Sequence, residues 1–272
     1  MYLSINGRLT KEDSLRISPF SQGLRYGYGL FETLKITNNK LYYFEEHWER
    51  MRDGCRVLNL DFDRPATVVE RDCYALTRAN KMAVGVMRMV YFKNEASNDL
   101  LMMTEPLPYT PELYAQGFKL CAADTTRDFS TSISAIKTNN YLENILVREA
   151  ARKRGYDEAI WLNTRGQICE GTVSNIFFVM DNEIFTPALD CGILPGVLRC
   201  KTIEMIQDLG LSLNLGFYSK EWLDKAEEIF LTNSLLGIMP VSKWNDKTFD
   251  LTSNRQTKHL MAELQQREST LF

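Results

Sequence analysis

The chain has 272 residues, of which 44% are hydrophobic and 25% charged, the balance of a folded protein with one large or two modest domains; disorder, collagen and coiled coil are excluded for the whole. A net charge of −3 speaks against a nucleic-acid protein, no apolar run reaches the length of a membrane span, and the opening Met1–Arg8 lacks the charged-then-apolar order of a signal peptide. Six cysteines without a CxxC pair and two distant histidines speak against a disulfide framework or a metal site, so the expectation is a cytoplasmic enzyme whose chemistry rests on a lysine, a carboxylate or a bound cofactor.

In chain order, Tyr2–Ile5 alternates and turns at Asn6-Gly7 into Arg8–Thr10, a hairpin. A second strand pair, Leu30–Ile36 and Lys40–Phe44, is joined by Thr37-Asn38-Asn39. Apolar positions at helical spacing predict helices over Glu45–Leu58 and Pro65–Arg78, and Ala83–Phe92 reads as a strand. Three of the eight prolines fall within residues 106–111, a stiff stretch poor in donors. It is read as the domain boundary: an N-terminal domain over 1–108, a linker over 109–116 and a C-terminal domain over 117–272. Beyond it come a strand at Phe118–Ala122 and a helix at Asn140–Arg154 with Leu142, Ile145, Leu146 and Ala150 on one face, stopped by Gly155. A meander follows over Glu158–Asn163, Gln167–Met180 and Glu183–Thr186. Helices are read at Val197–Leu209, Ser219–Ala226 and Thr257–Arg267, with a strand at Glu228–Thr232. The fold class is α+β in both halves, without the strict alternation of a doubly wound sheet.

Four polar segments interrupt this pattern. Lys137 lies between the apolar run Ser132–Ile136 and the helix-starting residues Thr138, Asn139 and Asn140. A lysine held there in an apolar pocket is a nucleophile toward an aldehyde; the plain alternative is a solvated surface lysine. Glu170 falls inside a strand read as buried, where a carboxylate needs a positive partner, unless the strand is an edge facing water. Gly192–Arg199 runs Gly and Pro straight into a helix, an anion site by construction and also an ordinary helix entry. Arg50, on a helix, could clamp a phosphate or pair with Glu46 at the surface. Gly27-Tyr28-Gly29 is followed by Leu30-Phe31-Glu32, so a dinucleotide-binding GxGxxG fails at its last position.

Taken in order, these segments resemble the class IV aminotransferases, the fold-type IV pyridoxal-phosphate enzymes that include branched-chain and D-amino-acid aminotransferases and aminodeoxychorismate lyase. The resemblance rests on Tyr26-Gly27-x-Gly29-x-Phe31-Glu32-Thr33, His47-x-x-Arg50, Lys137 with Asn140-Tyr141-Leu142, and Asp157-Glu158-Ala159. It continues through Glu170-Gly171-x-x-Ser174-Asn175, Gly192-Ile193-Leu194-x-Gly196-x-x-Arg199 and Asn233-Ser234-Leu235-x-Gly237. The resemblance implies a smaller N-terminal α/β domain, a larger barrel-like C-terminal domain that binds pyridoxal 5′-phosphate, and a homodimer whose pocket residues are shared across the interface.

By the same resemblance Lys137 looks like the lysine that forms a Schiff base with the cofactor, and Glu170 like the carboxylate facing its pyridine nitrogen. Arg50 resembles the phosphate-binding arginine; Val197, Leu198 and Ser234 fall at the phosphate cup, with Leu198 where relatives often have Thr. Tyr141 stands where relatives place a tyrosine near the cofactor hydroxyl, and Ser174, Asn175 and Gly196 lie in motifs that line the cofactor. Tyr26, Phe31, Thr33 and Leu235 correspond to substrate-pocket positions. Arg88 is left open between a substrate-carboxylate contact and a solvent-facing strand position. The substrates implied are small amino acids and keto acids. Transamination is the leading reading, with lyase chemistry the alternative and an inactive family-like binding protein the third. Tyr141 looks more aminotransferase-like, and Asn233–Val241 more lyase-like.

Overall fold

The computed structural model describes residues 1–128, 133 and 135–271. Ser132 and Ser134, part of the apolar run read ahead of Lys137, lie outside the described residues. The chain divides into two compact units, one of Met1–Pro108 with Ile136–Tyr141, the other of Tyr109–Ala135 with Leu142–Phe272.

The first unit contains β1 (Tyr2–Ile5), β2 (Arg8–Lys11), α1 (Gln22–Tyr26), β3 (Gly29–Thr37), β4 (Lys40–Leu41), α2 (Phe44–Val57), α3 (Ala66–Ala79), β5 (Gly85–Lys93) and β6 (Asn98–Glu105). The six strands form an antiparallel sheet in the order β2-β1-β6-β5-β3-β4. The Asn6-Gly7 hairpin forms as read, with both residues at positive φ. The expected strand Lys40–Phe44 shortens to β4, because Phe44 turns inward as the first residue of α2. Alternation along β3 puts Leu30, Glu32, Leu34 and Ile36 on the buried face, under the apolar stripe of α2, and leaves Phe31, Thr33 and Lys35 half-buried on the other. β6 was not legible in the sequence: Leu100-Leu101-Met102-Met103 breaks the alternation, yet the strand pairs with both β1 and β5.

The second unit continues with α4 (Pro111–Gln116), β7 (Phe118–Arg127), α5 (Leu142–Lys153), β8 (Glu158–Asn163), β9 (Ile168–Gly171), β10 (Asn175–Met180), β11 (Glu183–Pro187), α6 (Val197–Asp208), β12 (Leu213–Gly216), α7 (Lys220–Lys225), β13 (Glu228–Asn233), β14 (Gly237–Trp244), β15 (Lys247–Thr248) and α8 (Arg255–Thr270). The segment read as a linker thus contains α4, opened by Pro111. The sheet order is β12-β11-β10-β13-β14-β7-β8-β9, with parallel pairs at β12/β11, β14/β7 and β7/β8. Its core carries Trp161, Trp244, Phe177, Phe178 and Phe230, all fully buried.

Three differences from the sequence reading shape the site. β7 runs five residues past the expected Ala122, to Arg127, through a register shift against β8. The expected strand Gln167–Met180 breaks into β9 and β10, because the Gly171 N–H donates to the Ser174 carbonyl at 2.7 Å and closes a turn. The apolar face of α5 does not face a core: Leu142, Ile145 and Leu146 are exposed. No helix among the described residues is long and apolar enough to cross a membrane.

The return of residues 136–141 to the first unit is fixed by backbone. Phe31 N–H donates to the Lys137 carbonyl at 3.0 Å, Asn139 N–H donates to the Gly29 carbonyl at 2.9 Å, and Thr138 bridges Leu30. Gly29 permits this approach. A methyl there would press on the Tyr91 carbonyl and lie 2.5 Å from Asn139 Nδ2 and 2.9 Å from Phe92 Cα. Gly29→Ala is expected to lower stability by about 1–3 kcal/mol, read as the shift in a urea unfolding curve; an unshifted curve would show that the neighbouring backbone gives way freely.

Candidate active site

In the first unit five of the expected site residues come together. Lys137 Nζ lies 4.2 Å from the centre of the Phe31 ring and 5.0 Å from that of Tyr141. Those two rings meet edge-on at 5.1 Å. Arg88, cross-strand partner of Thr33, donates from Nη1 to the Thr33 hydroxyl at 3.4 Å and holds its guanidinium carbon 5.9 Å from the same Phe31 ring. The lysine amine is therefore set among aromatic faces on the half-buried side of the sheet, opposite the helices, and is not a freely solvated surface lysine. Tyr26 stands apart from this group: it closes α1, is exposed, and stacks with Arg25.

Arg50 lies on the other face of the same sheet. The motif spacing that joined Phe31-Glu32-Thr33 to His47-x-x-Arg50 is explained by one buried carboxylate. Arg50 donates to Glu32 from Nε (2.8 Å) and Nη2 (2.6 Å), and His47 Nδ1 lies 2.6 Å from Glu32 Oε2. The resemblance assigns no role to Glu32 or His47, and their pairing across 15 residues has no local signal in the sequence. Burial opposes the charged form of Glu32, but the Arg50 guanidinium and His47 overcome it and hold the carboxyl at about 2. Burial also pushes the His47 imidazole below its ordinary value, against the pull of Glu32.

In the second unit Glu170 is buried at the end of β9 and finds the positive partner its position demanded. Arg127 Nη1 donates to Oε1 at 2.7 Å; Asn175 Nδ2 and the Leu194 N–H donate to Oε2 at 3.0 and 2.9 Å. Arg127 was missed because the strand was ended too early. Asn175 Nδ2 also donates to the Leu194 carbonyl at 3.0 Å, tying Glu170 to the loop that enters α6. Gly196, the residue before α6, lies against Asn175 Oδ1, where no side chain fits, and leaves the first N–H groups of the helix without a side-chain cap. Val197 and Leu198 open the helix and are buried; Leu198 has no hydroxyl to offer. Arg199 is buried too, donates to the Pro187 carbonyl at 2.8 Å, and its Nε makes no hydrogen bond among the described residues. Burial pushes its guanidinium below the ordinary value.

A further carboxylate, Glu158, fixes the turn after Glu170. It is fully buried and accepts from the Thr172 N–H at 3.1 Å, the Val173 N–H at 3.3 Å, the Ser174 hydroxyl at 3.4 Å and the Thr172 hydroxyl. The Ser174 hydroxyl is thereby directed at Glu158. Asn233 braces the same turn, donating to the Val173 carbonyl at 3.0 Å while its Oδ1 accepts from the Leu235 and Leu236 N–H groups. Ser234 and Leu235 are carried on that bend.

Glu32 yields a pH dependence with a definite sign. Its carboxyl titrates near 4.5 ordinarily and at about 2 when folded, so the folded state holds this proton less tightly than the unfolded chain. The stability it contributes, on the order of 3 kcal/mol, is complete above about pH 4.5 and is lost as pH falls toward 2. Urea unfolding of wild type and Glu32→Gln between pH 7 and pH 3 should show the wild-type advantage shrinking on the acid side; a constant difference would refute the linkage.

A profile of the family "Amino-transferase class IV" matches residues 29–244. The chain is 28% identical over 269 residues to the aminodeoxychorismate lyase of Bacillus subtilis, covering 94% of this chain and 91% of that one. It is 26% identical over 258 residues to the branched-chain-amino-acid aminotransferase of Escherichia coli K12, covering 88% and 84%. The solved E. coli branched-chain aminotransferase superposes with a TM-score of 0.91 at 25% identity, covering 100% of this chain and 94% of that one. The 4-amino-4-deoxychorismate lyase of Pseudomonas aeruginosa superposes with a TM-score of 0.86 at 27% identity, covering 99% and 100%. The profile spans most of the chain, and so the chain belongs to the class IV aminotransferases, a family of enzymes that use pyridoxal 5′-phosphate.

Proposed function

We propose that this protein is an aminotransferase that moves an amino group between an amino acid and a 2-keto acid, and that it works as a cytoplasmic homodimer. The observation that carries the reading is Lys137: its backbone is pinned to β3 and its amine rests against Phe31 and Tyr141. By the resemblance, a tyrosine at this position is more aminotransferase-like than lyase-like. Six thiols, none in a disulfide, suit a reducing compartment. The exposed stripe Leu142, Ile145 and Leu146 is apolar surface of the kind a second copy would cover.

Taken unit by unit, the residues present suit the groups of the family's cofactor, which carries a phosphate, an aldehyde and a basic ring nitrogen. In the second unit, the uncapped N–H groups at Val197 and Leu198 suit a phosphate and the Glu170 carboxylate suits a basic ring nitrogen. In the first unit, the Lys137 amine suits an aldehyde, and the resemblance gives Arg50 a phosphate role. Bound, the cofactor supplies an electron sink for the pair left when a bond at the substrate Cα breaks. Lys137 Nζ then takes the Cα proton and returns it at a neighbouring carbon, with the rings of Phe31 and Tyr141 lining that amine. Glu170 is held at a fixed point by donors from Arg127, Asn175 and the Leu194 N–H, which orient its carboxyl group. Arg88 receives a substrate carboxylate on the same sheet face as Lys137. By the resemblance, Ser234 is assigned to the phosphate and Leu235 to the substrate.

The second reading is aminodeoxychorismate lyase, favoured by the 28% identity to the B. subtilis enzyme along almost the full length of both chains. Incubation with amino acid and keto acid pairs, and separately with aminodeoxychorismate, distinguishes the two. Amino transfer that requires a keto acid supports the first reading; release of 4-aminobenzoate with no keto acid present selects the second. Lys137→Ala should abolish either activity and the visible absorption band of the lysine-linked cofactor while the protein remains folded. A variant that keeps both would remove Lys137 from the mechanism.

A further inference from the structure

On the half-buried face of the first sheet, Arg88 is already occupied. Its Nε and Nη2 meet Glu105 Oε1 and Oε2 at 3.1 and 3.2 Å, a two-point fork between β5 and β6. The two residues are diagonal neighbours: Arg88 pairs directly with Met103, and Glu105 with Val86. The remaining nitrogen, Nη1, reaches Thr33. Neither side chain is deeply buried, at 32% and 44% exposed, so the pair is screened and can open. The guanidinium carbon and Lys137 Nζ both lie near one ring, at 5.9 and 4.2 Å from the centre of Phe31, which bounds their separation. On the receptor reading, a substrate with its reacting carbon near the amine brings a carboxylate to the arginine. A guanidinium edge accepts one carboxylate in two-point geometry at a time, so Glu105 and the substrate compete for it.

We propose that Glu105 is a specificity-determining residue: an internal carboxylate that occupies Arg88 and that a substrate carboxylate must displace. The inference rests on the reading of Arg88 as a carboxylate receptor. Displacement lowers the apparent affinity of every ligand that uses Arg88 in proportion to the fraction of time Glu105 is seated there. Ligands that do not use Arg88 are unaffected, so the pair ranks substrates by whether they carry a carboxylate that reaches Arg88.

The test is calorimetric titration of the cofactor-loaded protein with pyruvate and with 2-oxoglutarate, for wild type, Glu105→Gln, Arg88→Gln and the double variant. Glu105→Gln should tighten binding by about two- to fivefold, the range set by a half-exposed ion pair. Tightening of both acids assigns the displaced contact to the carboxylate they share; tightening of 2-oxoglutarate alone assigns it to the distal one. In the Arg88→Gln background the Glu105 substitution should do nothing. If Arg88→Gln weakens binding but Glu105→Gln changes neither acid, or acts equally with and without Arg88, the inference is overturned and the receptor reading survives. Unchanged binding in Arg88→Gln defeats the receptor reading itself, and the inference with it.

Discussion

The pairing of residues 137–139 with the start of β3 is the constraint from which the chemistry of the first unit follows. Two backbone hydrogen bonds, at Phe31 and Asn139, fix the position of Lys137 without using its side chain. They require close approach of two backbones, hence Gly29, and a tight reversal just before it, hence Gly27 at positive φ closing α1. Asn140 completes the join by donating from Nδ2 to the Gly27 carbonyl at 3.2 Å. Two motifs more than a hundred residues apart are thus one structural feature. The lysine is positioned by main chain, and the aromatic rings that surround its amine come from both partners in the pairing, Phe31 and Tyr141.

Three buried carboxylates are each stabilised differently, and the difference suits what each does. Glu32 meets a cation and an imidazole, which keeps it charged and orients Arg50. Glu170 meets one cation and two amide donors, which fix its direction. Glu158 meets backbone N–H groups and hydroxyls, which shapes the turn that carries Asn175 and follows Glu170. Each would be costly without its donors, since a buried charge must be paired or hydrogen-bonded.

Much of the fold was legible because hydrophobic period and turn residues are local signals. The Asn6-Gly7 hairpin, the stripes of α2 and α3 and the Gly155 stop all formed as read. The failures have physical causes. β6 lacked alternation because it is central in its sheet and its Leu and Met run packs on more than one neighbour. β14 contains Pro240, a residue type that disfavours a strand interior, and accommodates it in register with Phe230. The strand over 167–180 broke at a turn whose cause, Glu158, lies in a different strand. α5 has the pattern of a core helix but turns Leu142, Ile145 and Leu146 outward.

The sequence alone determined the family, and made Lys137 and Glu170 the candidates for its chemistry, because motif order and spacing survive at low overall identity when each motif answers a local demand of turn, cap or backbone approach. It also determined that Glu170 needed a cation, since burial could be inferred from the strand around it. What only the tertiary structure decided is which cation, and how the charged groups pair. Arg127 with Glu170, Arg50 and His47 with Glu32, and Arg88 with Glu105 are joined across 43, 18, 15 and 17 positions of sequence. Such pairs depend on strand register and on where a strand ends. A change of one residue in register turns a side chain to the opposite face, and no local pattern in the chain records that choice.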